Sequence, residues 1–164
     1  MSATQSQSSP GMVEVARIGA PPYVPKLKIA TLSQPGRIPG KPGLVWMQGF
    51  KSEMTSIKAT HLAQWCTGSG LGLTRFDYSG HGQSEGAFED GTLGQWLGES
   101  IAVITRATVG PQILVGSSMG GFLALLAARH FNGRSKDEPP RIAGLGLIAP
   151  AWDMISELMW PRLT

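Results

Sequence analysis

The residue with the most chemical promise is Ser118, which stands in the run Gly116-Ser117-Ser118-Met119-Gly120. A serine hydroxyl can attack an acyl carbon when it is held exposed, given a base, and faced by amides that hold the resulting oxyanion. The surrounding residues predict such a mount. Ile113, Leu114 and Val115 form a short, branched apolar run that reads as a buried strand. Met119, Phe122, Leu123, Leu125 and Leu126 then recur at helical spacing to about Phe131. A strand therefore passes into a helix with almost no linker, and Ser118 occupies the turn. Such a turn is strained and points the hydroxyl out at the sheet edge. Gly116 and Gly120 allow strand and helix to approach closely. The helix N-terminus adds free N–H groups and a positive dipole end.

The pattern alone decides little in a chain with 22 glycines. A second G-x-S-x-G occurs at Gly82-Gln83-Ser84-Glu85-Gly86, but Ala-Phe-Glu-Asp-Gly follows it with no helical period. Context therefore selects Ser118 as the candidate nucleophile and leaves Ser84 a loop residue. Ser117 is expected to point away and bond locally.

Acyl transfer also needs two oxyanion donors, a base and an acid that orients it. The N–H of Met119, just after the nucleophile, is one candidate donor. The N–H of Phe50 is the other, in the Gln48-Gly49-Phe50 loop after an apolar run, where Gly49 can turn the backbone. Lys51 beside it reads as an exposed lysine, with contact to an acidic substrate group as the alternative. The three histidines, His61, His81 and His130, serve poorly as base. His61 falls within a predicted helix, and His130 lies about 18 Å along the nucleophile's own helix from Ser118. His81 reads as a residue of a glycine-rich loop. Asp153, after the strand ending at Ile148, is the candidate acid, with a helix-capping or lid residue as the alternative. Asp137 is a poorer candidate, and Asp77 is expected to brace the glycine loop that follows it.

These residues need elements to position them, and 164 residues make at most one domain. An apolar fraction of 41% suffices for a core, while 15% charged residues and a net charge of +3 indicate neither a nucleic-acid nor a membrane patch. The single cysteine, Cys66, excludes an internal disulfide framework and a cysteine metal site. It reads as a small buried hydrophobe. No metal or other cofactor is expected. A soluble chain in a reducing, cytoplasmic setting fits this composition.

Residues 1–12 are polar and read as a disordered tail, residues 13–150 as the core, and residues 151–164 as the start of a lid helix carrying Trp152 to Trp160. Strands are predicted over 13–18, 26–32, 44–47, 73–78 and 142–148, besides the one before Ser118. The first two would form a hairpin. A helix over 55–66 would turn Ile57, Leu62, Trp65 and Cys66 inward, with Gly68, Gly70 and Gly72 ending it. Thr92 reads as the N-cap of a helix to about Thr108. Strands alternating with helices predict an α/β fold: a mostly parallel sheet with helices on both faces and an antiparallel edge.

With these residues placed, the chain resembles the α/β-hydrolase superfamily. Two stretches carry the resemblance: Leu114-Val115-Gly116-Ser117-Ser118-Met119-Gly120-Gly121, and Arg75-Phe76-Asp77-Tyr78-Ser79-Gly80-His81-Gly82-Gln83-Ser84-Glu85-Gly86. Gly49 to Met54, Asp90-Gly91-Thr92 with Trp96, and Gly110 to Ser118 are similar to one branch, that of mitochondrial palmitoyl-protein thioesterase and acyl-glucuronide esterase with bacterial relatives. The resemblance implies eight strands, with the acid after the seventh and the histidine after the eighth. This chain would then be an N-terminal portion that stops after the sixth strand, leaves an apolar sheet edge and holds Ser118 idle. The implied activity is hydrolysis of carboxylic esters or acyl thioesters of small molecules with an apolar acyl group. A non-catalytic binding protein and an acyltransferase are the alternatives.

Overall fold

The computed structural model describes residues 8–19, 25–133 and 140–152. Six strands form one sheet: β1 (Ser9–Val15), β2 (Leu27–Gln34), β3 (Gly43–Met47), β4 (Leu73–Phe76), β5 (Gln112–Ser117) and β6 (Ile142–Ile148). Their spatial order is β1-β2-β4-β3-β5-β6. β3, β4, β5 and β6 run parallel, whereas β2 is antiparallel to both β1 and β4. The mostly parallel sheet and its antiparallel edge are thus as expected.

Among the described residues three α-helices cover it: α1 (Ile57–Ser69), α2 (Leu93–Ala107) and α3 (Met119–Asn132). Alternation along β3 explains the two layers. Leu44 and Trp46 pack with Ala59, Ala63 and Cys66 of α1 on one face. Val45 and Met47 pack with Val103 and Ile104 of α2 and Leu123, Ala124 and Ala127 of α3 on the other. The chain leaves β3 toward β4 on one side and returns to β5 on the other. That reversal opens a crevice beyond the carboxyl ends of β3 and β5, the usual ligand position in such sheets.

The helix signals hold locally. Thr92 caps α2, its Oγ1 accepting the Gln95 N–H at 3.1 Å. Gly70 ends α1 with φ 70°, a left-handed conformation that glycine adopts without a Cβ penalty.

Two expectations need correction. The tail does not stay outside the fold: β1 begins at Ser9 and pairs through Ser9↔Ser33, Gly11↔Thr31 and Val15↔Leu27. Strand pairing uses backbone groups, so a polar segment joins a sheet once a partner strand is available. Residues 1–7 lie outside the described residues. On α1, Ile57 is 78% exposed and Trp65 56% exposed, because small residues, Ala59 and Ala63, face the sheet with Cys66. The predicted lid helix falls beyond Trp152 and so outside the described residues, and Trp152 itself is exposed. β6 is an edge strand, and Leu145, Leu147 and Ile148 are each more than a third exposed.

Candidate active site

β5 ends at Ser117 and α3 starts at Met119, so Ser118 is the whole connection. Its φ of 53° and ψ of −122° lie where a non-glycine residue rarely sits, at a cost of roughly 1–3 kcal/mol. The surroundings impose this conformation. The Ser118 N–H donates to the Ile148 carbonyl at 3.0 Å, and the Ser118 carbonyl accepts from Gly121 at 2.9 Å and Ala151 at 3.1 Å. Neighbouring strand and helix therefore clamp the peptide on both sides. The two flanking glycines are sterically required. A Cβ on Gly116 would sit 2.5 Å from the Gly120 carbonyl carbon, and one on Gly120 would sit 2.5 Å from the Met47 carbonyl carbon.

Ser118 is half-buried and its side chain caps no helix N–H. Met119 N–H is the first of α3 and has no intrahelical acceptor. Gly49 passes close by: a Cβ on it would stand 3.3 Å from Ser118 Cβ and 3.9 Å from Ser118 Oγ. The loop that carries Phe50 therefore lies against the serine. The Phe50 ring is 46% exposed and rests edge-on against Phe88 and Trp96, at 5.1 and 6.1 Å between centroids. Lys51 is exposed, with Nζ 5.2 Å from the Phe88 ring centre.

Among the described residues, three non-glycine positions have positive φ: Lys51, Ser118 and Ala149. They follow β3, β5 and β6 respectively, at the carboxyl ends of three adjacent parallel strands. Backbone strain gathers at functional sites, and here it gathers at one edge of the sheet. Two cavities lined by described residues, about 280 and 540 Å3, lie elsewhere and do not touch Ser118. The strained geometry, rather than cavity size, marks this edge as the candidate site.

The other candidate residues fall into place around it. Ser117 is buried and its Oγ accepts from Lys58 Nζ at 2.8 Å. Ser84 is structural: its Oγ donates to the Asp77 carbonyl at 2.6 Å and accepts the Ala30 N–H at 2.8 Å. Asp77 braces more than its own loop. Its carboxylate accepts from Gln83 N–H at 2.9 Å, from Met54 N–H at 2.7 Å and from Gln48 Nε2 at 3.3 Å. It thereby ties the loop after β4 to the loop after β3. Asp153 and Asp137 lie outside the described residues. His61 on α1 and His130 near the end of α3 are exposed, and His81 has hydrogen bonds at both ring nitrogens.

The sequence reading missed several contributors. Lys58 and Glu99 carry no pattern of their own, and the meeting of Tyr78, Phe88 and Trp96 around His81 has none either. Glu99 is fully buried and accepts the Ser79 N–H at 2.9 Å and Gln95 Nε2 at 2.9 Å. Burial pushes its carboxyl above the ordinary 4.5, and the bonds from Ser79 and Gln95 oppose that rise. The signal that could have found this group is topological. β3 and β4 are adjacent parallel strands, so the loops leaving their carboxyl ends must meet.

Residues 43–163 match the family model described as serine aminopeptidase, S33. The human mitochondrial palmitoyl-protein thioesterase ABHD10 is 44% identical over 93 residues, which is 56% of this chain and 30% of that protein. A solved hydrolase structure from Agrobacterium vitis S4 aligns with TM-score 0.87 and 38% identity, covering 96% of this chain and 58% of the other. Mouse α/β-hydrolase domain-containing protein 10 aligns with TM-score 0.69 and 32% identity, covering 86% and 50%. The chain spans about a third of the length of the curated relatives it matches. With a strained serine between a parallel strand and its helix, and with these matches over most of its length, the chain belongs to the serine aminopeptidase S33 family of α/β hydrolases.

Proposed function

We propose that the protein is a serine hydrolase that cleaves carboxylic esters or acyl thioesters through an acyl-enzyme on Ser118. The observation that carries this reading is the conformation of Ser118, φ 53° and ψ −122°, with an uncapped hydroxyl at the crevice beyond β3 and β5. Strain of this kind persists only where surrounding structure maintains it. The name of the ABHD10 relatives, palmitoyl-protein thioesterase, favours an acyl thioester among the possible substrates. The exposed Phe50 ring beside the site favours an apolar acyl group. The substrate is a small molecule or an acyl group on a carrier, and the reading assigns no nucleic-acid or membrane partner.

In this scheme Ser118 Oγ bonds to the acyl carbon while its proton passes to a base. The carbonyl oxygen becomes an oxyanion, held by the N–H groups of Met119 and Phe50. Collapse expels the alcohol or thiol, which takes the proton, and water repeats the sequence to release the acid. His81 is committed at both ring nitrogens, and His61 and His130 are exposed on α1 and at the end of α3, so none of the three is assigned as base. Asp153 remains the proposed acid. For compartment we propose a reducing one, supported by the buried, unpaired Cys66, whose thiol burial pushes up to about 11. A fluorescent fusion decides between the cytoplasm and the mitochondrion, the compartment in the relatives' names.

A fluorophosphonate probe tests the reading. The full protein is expected to label on one serine, and Ser118→Ala to abolish labelling while the fold persists. Labelling that survives this substitution, or an intact protein that never labels, overturns it and favours a binding role.

A further inference from the structure

We propose that His81 is a positioning residue for the Phe50 amide, acting through Lys51 as a neutral imidazole with its proton on Nδ1. The proposal rests on the role given above to the Phe50 N–H.

The loop after β3 has two consecutive peptide planes that must be held. In the first, the Gly49 carbonyl accepts the Ser52 N–H at 3.2 Å. A trans peptide is planar, so its N–H points opposite to its C=O. The bond from Ser52 thus directs the Phe50 N–H to the other side of the loop. In the second plane, the Lys51 N–H donates to His81 Nε2 at 3.3 Å. Lys51 has φ 54°, a left-handed conformation unfavourable for a lysine. A lysine held there needs an anchor, and His81 is that anchor.

His81 is itself fixed on every side. It is buried, with ring contacts to Phe88 at 5.2 Å, Trp96 at 5.3 Å and Tyr78 at 5.9 Å. Its Nδ1 lies 3.1 Å from the Ser79 carbonyl. A carbonyl only accepts, so Nδ1 carries the proton and Nε2 is left as an acceptor. The Ser79 carbonyl is held by Trp96 Nε1 at 3.2 Å, and the Ser79 N–H by Glu99 Oε2 at 2.9 Å. A rigid chain of contacts therefore runs from α2 through Ser79 and His81 to the loop against Ser118. Trp96 and Phe88 also pack the Phe50 ring, so one aromatic group supports both the clamp and the residue it positions.

Two substitutions separate the acceptor from the ring. His81→Gln keeps an acceptor near the Nε2 position, and His81→Phe keeps the aromatic packing without it. In the full chain, imidazole 15N NMR is expected to show the Nδ1–H tautomer, and the Lys51 amide is expected to resist hydrogen exchange. Removal of an oxyanion donor costs roughly 10²–10³-fold in rate, so misplacing one in His81→Phe should slow fluorophosphonate labelling at least about tenfold. The Lys51 amide should then exchange freely, while the amides of β3 and β5 keep their protection. His81→Gln should retain Lys51 protection and most of the labelling rate. The Nε2–H tautomer, a Lys51 amide still protected in His81→Phe, or equal slowing in both variants would overturn the proposal. If the unmodified protein fails to label, the reading of Ser118 fails, and the NMR and exchange results still decide the clamp.

Discussion

Gly120→Ala should destabilise this protein even though alanine is the better helix former. Gly120 lies in the first turn of α3, against the end of β3. An added Cβ would stand 2.5 Å from the Met47 carbonyl carbon and nearer still to the carbonyl oxygens of Met47 and Gln48. Carbon and oxygen settle at about 3.3–3.6 Å, so α3 must withdraw by about 1 Å. Its obstacle is backbone, which no rotamer change can clear. Overpacking of this kind costs up to about 3 kcal/mol, and replacing a helical glycine returns about 1 kcal/mol. The net loss is about 2 kcal/mol, or a fall in Tm of about 4–8 °C for a chain of this size. The control is Gly68→Ala on α1, where a Cβ meets nothing within 4 Å. There the propensity gain stands alone, and Tm should rise by about 2–4 °C. Thermal unfolding followed by circular dichroism reads both. If Gly120→Ala melts at or above the parent, or if both variants shift the same way, the close approach of α3 to β3 is wrong.

Three further outcomes follow from the polar groups that hold the loops. Asp77→Asn replaces a carboxylate that accepts from Met54, Gln83 and Gln48; urea unfolding should show a loss of roughly 2–4 kcal/mol, since bonds to a charged acceptor carry about 1.5–3 kcal/mol each. Ser84→Ala should cost about 1–2 kcal/mol by the same assay and leave Ser118 labelling unchanged, which separates the two G-x-S-x-G runs. Glu99 governs a pH dependence. Its folded-state carboxyl is raised above 4.5, first by burial. The folded protein therefore binds more protons than the unfolded chain above pH 4.5, and stability falls as pH rises through that window. Stability measured against pH should show this decline in the parent and a flatter curve in Glu99→Gln; an unchanged slope would refute the assignment.

The strand–turn–helix frame of the candidate site was legible in the sequence. Gly116, Ser118 and Gly120 between an apolar strand and a periodic helix could be read because strand, turn and helix are contiguous. The cap at Thr92 and the stop at Gly70 were legible for the same reason. The inward face of α1 was misread, because Ile57 and Trp65 look apolar in sequence, whereas the sheet admits only Ala59, Ala63 and Cys66 at close range. β1 was misplaced because its polar first residues are recruited by backbone pairing with β2.

What the sequence determines by itself is local: periodicity sets strand or helix, glycine permits a turn, and the order of elements implies a mostly parallel sheet. What only the tertiary structure decided is which distant segments meet. The order β4-β3-β5 brings the loop after β3 between the loops after β4 and β5. That places Gly49 against Ser118, Lys51 against His81 and Met54 against Asp77. These contacts join residues some 20 to 70 positions apart, so no local pattern encodes them; they exist because parallel strands deliver all their carboxyl ends to one edge of the sheet.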